Sequence, residues 1–193
     1  MGLHWSEMSE ELQGILPSIA ILGTVAAVAL YLTLARGSVG GSGTQLRAAV
    51  WIAIATVLLQ GTHFAEELAT GFHLRFPELF GLAPMPVGFF VWFNLGWFAI
   101  WSLSLWGLAT RRRIALFPLW FLALAAVVNL AAHPLLALRQ GGYFPGLISS
   151  PFVGIAGAIL FRQLLRLTGD PIRRRGMSST ATEGEGRAGA RFP

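Results

Sequence analysis

The sequence contains no cysteine, no lysine and a single aspartate, Asp170. Without cysteine there is no disulfide and no thiolate metal site, and the redox compartment stays open. Any metal would have to be held by histidine and carboxylate. Charge is scarce as a whole. Only 12% of the residues are charged and 54% are hydrophobic, where a soluble domain carries about 25% charged residues. The basic side chains are all arginines, and they sit beside apolar runs rather than along a soluble face. No nucleic-acid partner is therefore expected. A basic N-terminal stretch is also missing. The opening residues MGLHWSEMSEELQG are acidic where a cleavable signal would be basic, so none is expected. MGLHWS meets the Met-Gly-x-x-x-Ser pattern of myristoylation, but several membrane spans would make such an anchor redundant.

What the chain has in abundance is long apolar runs. A membrane span needs about 20 mostly apolar residues. On that rule the sequence predicts an all-α polytopic helix bundle with spans at about 15–35, 47–69, 87–109, 114–138 and 147–167. Together they form one transmembrane unit over 15–168, preceded by a short segment (1–14) and followed by a polar, small-residue tail (169–193) expected to be disordered. GSVGGSGTQ reads as a flexible first connection and TGFHLRFPELFGLAPMP as an aromatic segment at the lipid–water interface. The third connection is the tight basic run Arg111-Arg112-Arg113, and the fourth, RQGGYFPG, is a Gly/Pro turn.

Arginine placement sets the expected orientation. With the N-terminus outside and the C-terminus in the cytoplasm, ten arginines up to Arg175 fall inside. Only Arg75 and Arg139 fall outside. The bacterial inner membrane is the expected location, with membrane lipids as surroundings.

Against this apolar background the stretch THFAEEL stands out, because it places His63, Glu66 and Glu67 near the outer end of the second span. Ionisable groups in a span cost about 2.5–3.5 kcal/mol each on insertion scales and persist where they face a partner, a metal, water or a ligand. Residues four apart share a helix face, so Thr56, Gln60, His63 and Glu67 form one polar stripe. The fourth span carries Asn129 and His133 with the same spacing, and the third carries Asn94 about two turns in. In the arginine-derived orientation His63, Glu66, Glu67, Asn94, Asn129 and His133 lie at one depth in the outer half of the membrane. His63, Glu66, Glu67 and His133 are the candidate catalytic groups, with Gln60, Asn94, Asn129 and Tyr143 as supporting polar residues. His73, His4 and Trp5 read as interfacial.

His63-x-x-Glu66-Glu67 resembles the signature of the HXXEE family of small bacterial integral membrane proteins. The later His133 and the Tyr143-Phe144-Pro145-Gly146 turn resemble further features of that family. The resemblance covers about 16–167. It implies that His63, Glu66, Glu67 and His133 belong to one site, and it implies no reaction.

The residues allow two chemistries for such a site. His63, Glu67 and His133 could hold a divalent metal, Zn, Fe or Mn, and leave a position open for water. Alternatively, the two glutamates and the histidines could act as general acid and base without metal, in a manner analogous to some intramembrane proteases, although the Glu-Glu-x-x-x-Arg pattern of those enzymes is absent. Glu66 is also close enough to the helix end to reach lipid headgroups. Either chemistry fits an enzyme acting on a lipid or other hydrophobic substrate. A small-molecule or ion carrier is the alternative, and so is a helix-bundle interaction subunit using the small residues Gly154, Gly157 and Ala158. If both glutamates serve chemistry rather than packing, Glu→Gln at both is expected to hold or raise thermal stability and to abolish function.

Overall fold

The computed structural model describes residues 13–169. Residues 1–12 and the tail beyond Gly169 lie outside it, and with them His4, Trp5, the acidic Glu7, Glu10 and Glu11, the 173–175 arginine run and nearly all of the two terminal segments. The described residues form six α-helices and no named strand. Five of the helices are long and apolar enough to cross a membrane.

Helix α1 spans Leu16–Arg36, with Pro17 in its first turn, where a missing N–H costs nothing. Helix α2, Gly43–Thr70, starts four residues before the expected span. The reason is local. The Ser42 hydroxyl accepts from the Gln45 backbone N–H at 3.3 Å, and the Ser42 N–H donates to Gln45 Oε1 at 2.8 Å. This capping box turns the end of a Gly/Ser connection into the first helical turn. Gly71, at φ 80°, ends α2 in the left-handed conformation that glycine tolerates best. The aromatic connection then forms a short helix, α3, Phe72–Glu78. Helix α4 covers Val87–Ala109. A single 3₁₀ turn at Arg113–Ala115 leads into α5, Leu116–Gln140. Helix α6 runs Ser150–Leu167 and begins three residues later than the sequence predicts. Residues 147–149 are used instead for the turn that reaches the site.

The five long helices alternate in direction. Helix α6 packs most extensively on α5, and α2 packs on α6. The close α5–α6 approach depends on Gly154 and Gly157. A Cβ on Gly154 would clash with Leu130, and one on Gly157 would lie 2.5 Å from the Ala126 Cβ. Of the small residues considered for a partner subunit, Gly154 and Gly157 are thus consumed inside the chain, as small residues commonly are where helices meet in lipid, while Ala158 is exposed. Trp51, Trp92, Leu103 and Trp106 point outward, the pattern of a bundle solvated by hydrocarbon.

The two ends of the bundle differ. At one end Arg36 donates to Leu165 O at 2.9 Å, Arg111 to Gly40 O at 2.7 Å and Arg113 to Thr33 O at 3.3 Å. These arginines satisfy carbonyls at helix ends and in the α1–α2 turn, which have no partner within a helix. The buried Trp120, Leu116, Leu119, Leu160 and Leu164 belong to the main apolar core. The opposite end carries α3, the 141–149 turn and the polar residues.

Candidate metal centre

The buried positions of α2 are Ala49, Ala53, Thr56, Gln60, His63 and Glu67, a seam with steps of three and four. Helical periodicity therefore turns His63 and Glu67 inward together, against α5 and the 141–149 turn. His133 meets them from α5. The His63 and His133 rings stand perpendicular with centroids 4.7 Å apart. Glu67 Oε1 lies 3.5 Å from His63 Nε2 and 3.5 Å from His133 Nε2, and all three side chains are buried.

Those distances exceed a hydrogen bond, which runs to about 3.2 Å for N–H···O. They match the edge of a tetrahedron whose centre sits about 2.0–2.1 Å from nitrogen and oxygen ligands, an edge of about 3.4 Å. The three ligand atoms all lie within 4.8 Å of one another.

The outer faces of the imidazoles decide which nitrogens carry protons. His133 Nδ1 lies 2.6 Å from the Pro145 carbonyl, which can only accept, so Nδ1 is protonated. His63 Nδ1 lies 2.8 Å from Ser149 Oγ. That hydroxyl donates its own proton to Glu66 Oε2 in a short hydrogen bond, so it must accept from His63 Nδ1–H. In the neutral imidazoles both Nε2 atoms then present lone pairs toward Glu67. His63 Nε2 is buried with no hydrogen-bond partner. Two lone pairs and a carboxylate thus converge where no donor stands among the described residues. A proton on Glu67 could serve one imidazole only, whereas a cation serves all three.

Glu66 is turned the other way. Its Oε1 accepts from the Tyr143 hydroxyl at 2.7 Å and from the Ile148 N–H at 3.0 Å. Its Oε2 accepts from the Ser149 N–H at 2.8 Å and from the Ser149 hydroxyl. It neither lines the cavity beside Glu67 nor points free toward headgroups. It fastens the 141–149 turn to α2. Burial and the bond to Glu66 together push the Tyr143 phenol above its ordinary range.

Gly146 makes this docking possible. Its φ is +85°, and a Cβ there would lie 2.7 Å from His133 Nδ1 and 2.8 Å from His63 Cε1. Only a residue without a side chain lets the turn press on both rings.

The remaining predicted residues line a cavity of about 370 Å³ that opens from Glu67 and His133 between α1, α4 and α5. Gln60, Asn94 and Asn129 stand on its wall. Asn94 spends its amide on the Phe90 carbonyl of its own helix at 2.8 Å, as suits a structural role. His73 lies on α3, outside the three-residue cluster, stacked on Phe90. Sequence reasoning did not single out Ser149 or the Pro145 carbonyl. The Tyr-Phe-Pro-Gly turn was the available signal for both, since it is the segment that carries them to the histidines. Compared with known proteins, the chain matches no family model, no curated sequence and no solved structure, so the case for a metal centre rests on these side chains and their geometry.

Proposed function

We propose that the chain is an intramembrane hydrolase with one divalent metal, held by His63, Glu67 and His133, acting on a carbonyl group attached to an apolar chain. The observation that carries this reading is the convergence of two imidazole lone pairs on a buried carboxylate, whose Oε1 lies at about a tetrahedral edge from each Nε2, with no other donor between them among the described residues. Three protein ligands leave a fourth position for water, the arrangement of catalytic rather than closed structural zinc sites. A metal in such a site lowers the pKa of its bound water to about 7 and polarises a carbonyl. A metal held by His63, Glu67 and His133 would supply a water activated for attack on a carbonyl, and the overall hydrolysis would add the water's OH to the acyl group and its proton to the leaving oxygen or nitrogen. Zinc is the first candidate, and iron and manganese suit the same ligands.

In this reading Glu66 is a positioning residue. It holds Ser149, and Ser149 fixes the tautomer and angle of His63. The His-x-x-Glu-Glu spacing acquires a meaning. The first and fifth residues bind metal from one helix face, and the fourth reaches across to the turn that orients the first. A shared arrangement of this kind would account for the resemblance to the HXXEE family. The arginine bias supports an extracytoplasmic N-terminus, with the centre toward the outer leaflet, and the resemblance to a bacterial family supports a bacterial inner membrane.

The test is elemental analysis of protein purified in mild detergent. A stoichiometric divalent metal is expected in the wild type and absent from His63→Ala and His133→Ala, with carbonyl-hydrolysing activity on extracted lipids lost on chelation and restored by zinc. A protein that carries no metal and takes up none of zinc, iron or manganese would overturn the proposal.

A further inference from the structure

The cavity beside the His/Glu centre has a definite shape. Its wall runs from Ile15 to Ala26 on α1, from Phe89 to Trp101 on α4 and from Phe121 to Leu136 on α5. At 1.5 Å per residue each run covers roughly 16–22 Å along the bundle. The space is therefore a slot. Its volume of about 370 Å³ extends over roughly 18 Å, a long space that suits an extended hydrocarbon chain.

The ends of the slot differ chemically. One end holds Glu67 and His133. Gln60 reaches the same slot; it is only 7% exposed and its Oε1 is buried without a partner. The other end is aromatic, closed where Trp97 stacks on Phe121 at 4.2 Å.

The side of the slot is open. Ile19 of α1 and Phe89 and Phe93 of α4 line it and are 58%, 41% and 37% exposed. Helix α1 packs on α5, and α4 packs on α2 and α5, so the two rims are carried by different contacts. Among the described residues the seam between α1 and α4 faces the hydrocarbon of the bilayer.

We infer that the slot binds the acyl chain of a lipid ester, which enters sideways from the bilayer between α1 and α4. The ester carbonyl sits at the His63–Glu67–His133 centre, and the tail runs past Gln60 and ends at Trp101. What happens to the ester rests on the hydrolase reading above. The fit of the chain does not.

A monoacylglycerol carrying a photoreactive diazirine at the last carbon of its tail, placed in phosphatidylcholine vesicles with the full-length protein, tests this. Labelling is expected on Trp97, Trp101 or Phe121. It should be lost in Gly23→Phe, because Gly23 lines the slot and a side chain there meets open space rather than a neighbour. Gly23→Leu fills the same space if the larger variant does not fold. Label scattered over the outward-facing Trp92 and Leu103 and unaffected by either variant would overturn the inference. Metal content measured on the same samples separates the two proposals. Slot labelling without metal removes the hydrolase reading alone, and metal without slot labelling removes the lipid inference alone.

Discussion

Glu66 and Glu67 are adjacent in the chain, yet glutamine at each should move stability in opposite directions. Glu66 accepts four hydrogen bonds, two of them from the backbone N–H groups of Ile148 and Ser149. Glutamine offers one oxygen and one NH₂ group. The hydroxyls of Tyr143 and Ser149 can rotate to accept from that NH₂, but a backbone N–H cannot, so one of the two is left facing a donor. An orphaned donor costs about 1–3 kcal/mol, and the bonds that remain lose the charge that strengthened them. Glu66 is half-buried, so a loss of about 2–3 kcal/mol is expected, a fall of roughly 5–10 °C in melting temperature for a chain of this size. Glu67 is buried and meets only lone pairs. Glutamine there removes a buried charge and turns an NH₂ toward an imidazole nitrogen, so the metal-free melting temperature should hold or rise while metal retention is lost. Tryptophan fluorescence during heating in detergent, with chelator and with zinc, measures both variants. The sequence alone led to the expectation that both substitutions would hold or raise stability, and the four donors around Glu66 separate them. A Glu66→Gln protein that melts at or above wild type, or a metal-free Glu67→Gln protein that melts markedly lower, would refute the division into orienting and ligating carboxylates.

Ser149→Ala removes the acceptor of His63 Nδ1–H while leaving all three ligands, so zinc affinity should fall by about 10–100-fold in competition with a fluorescent chelator. Unchanged affinity would mean that Ser149 does not orient the imidazole. Gly146→Ala combines left-handed strain with contact on both imidazoles, and together these should cost about 2–4 kcal/mol, read as a lowered melting temperature without metal. The Tyr143 phenol should remain protonated at about pH 10, where an ordinary tyrosine is half ionised. Its raised folded value means that the latch contributes fully below the unfolded pKa and is lost as pH rises through the folded one. The ultraviolet titration difference between wild type and Tyr143→Phe measures this directly. A reporter active only in the cytoplasm should work when fused after Arg175 and be silent in the Gly141-Gly142 turn, and the reverse result would invert the orientation.

The five spans and the inward stripe of Thr56, Gln60, His63 and Glu67 were legible in the sequence, because both follow from local repeats: runs of about 20 apolar residues and the helical step of three and four. The meeting of His63, Glu67 and His133 was legible too, since their helices are fixed in direction by the alternation of spans and their residues lie at matching distances from the same end. What the sequence left open was the division of labour between the two glutamates. One residue of offset turns a side chain by about 100° around a helix, and only the neighbours packed on each face decide what it meets. For Glu67 the neighbour is His133. For Glu66 it is a turn some eighty residues away, whose donors come from Tyr143, Ile148 and Ser149. The slot belongs to the same class of feature. Its apolar wall reads as ordinary helix faces, and the gap between α1 and α4 exists only because each of those helices packs elsewhere.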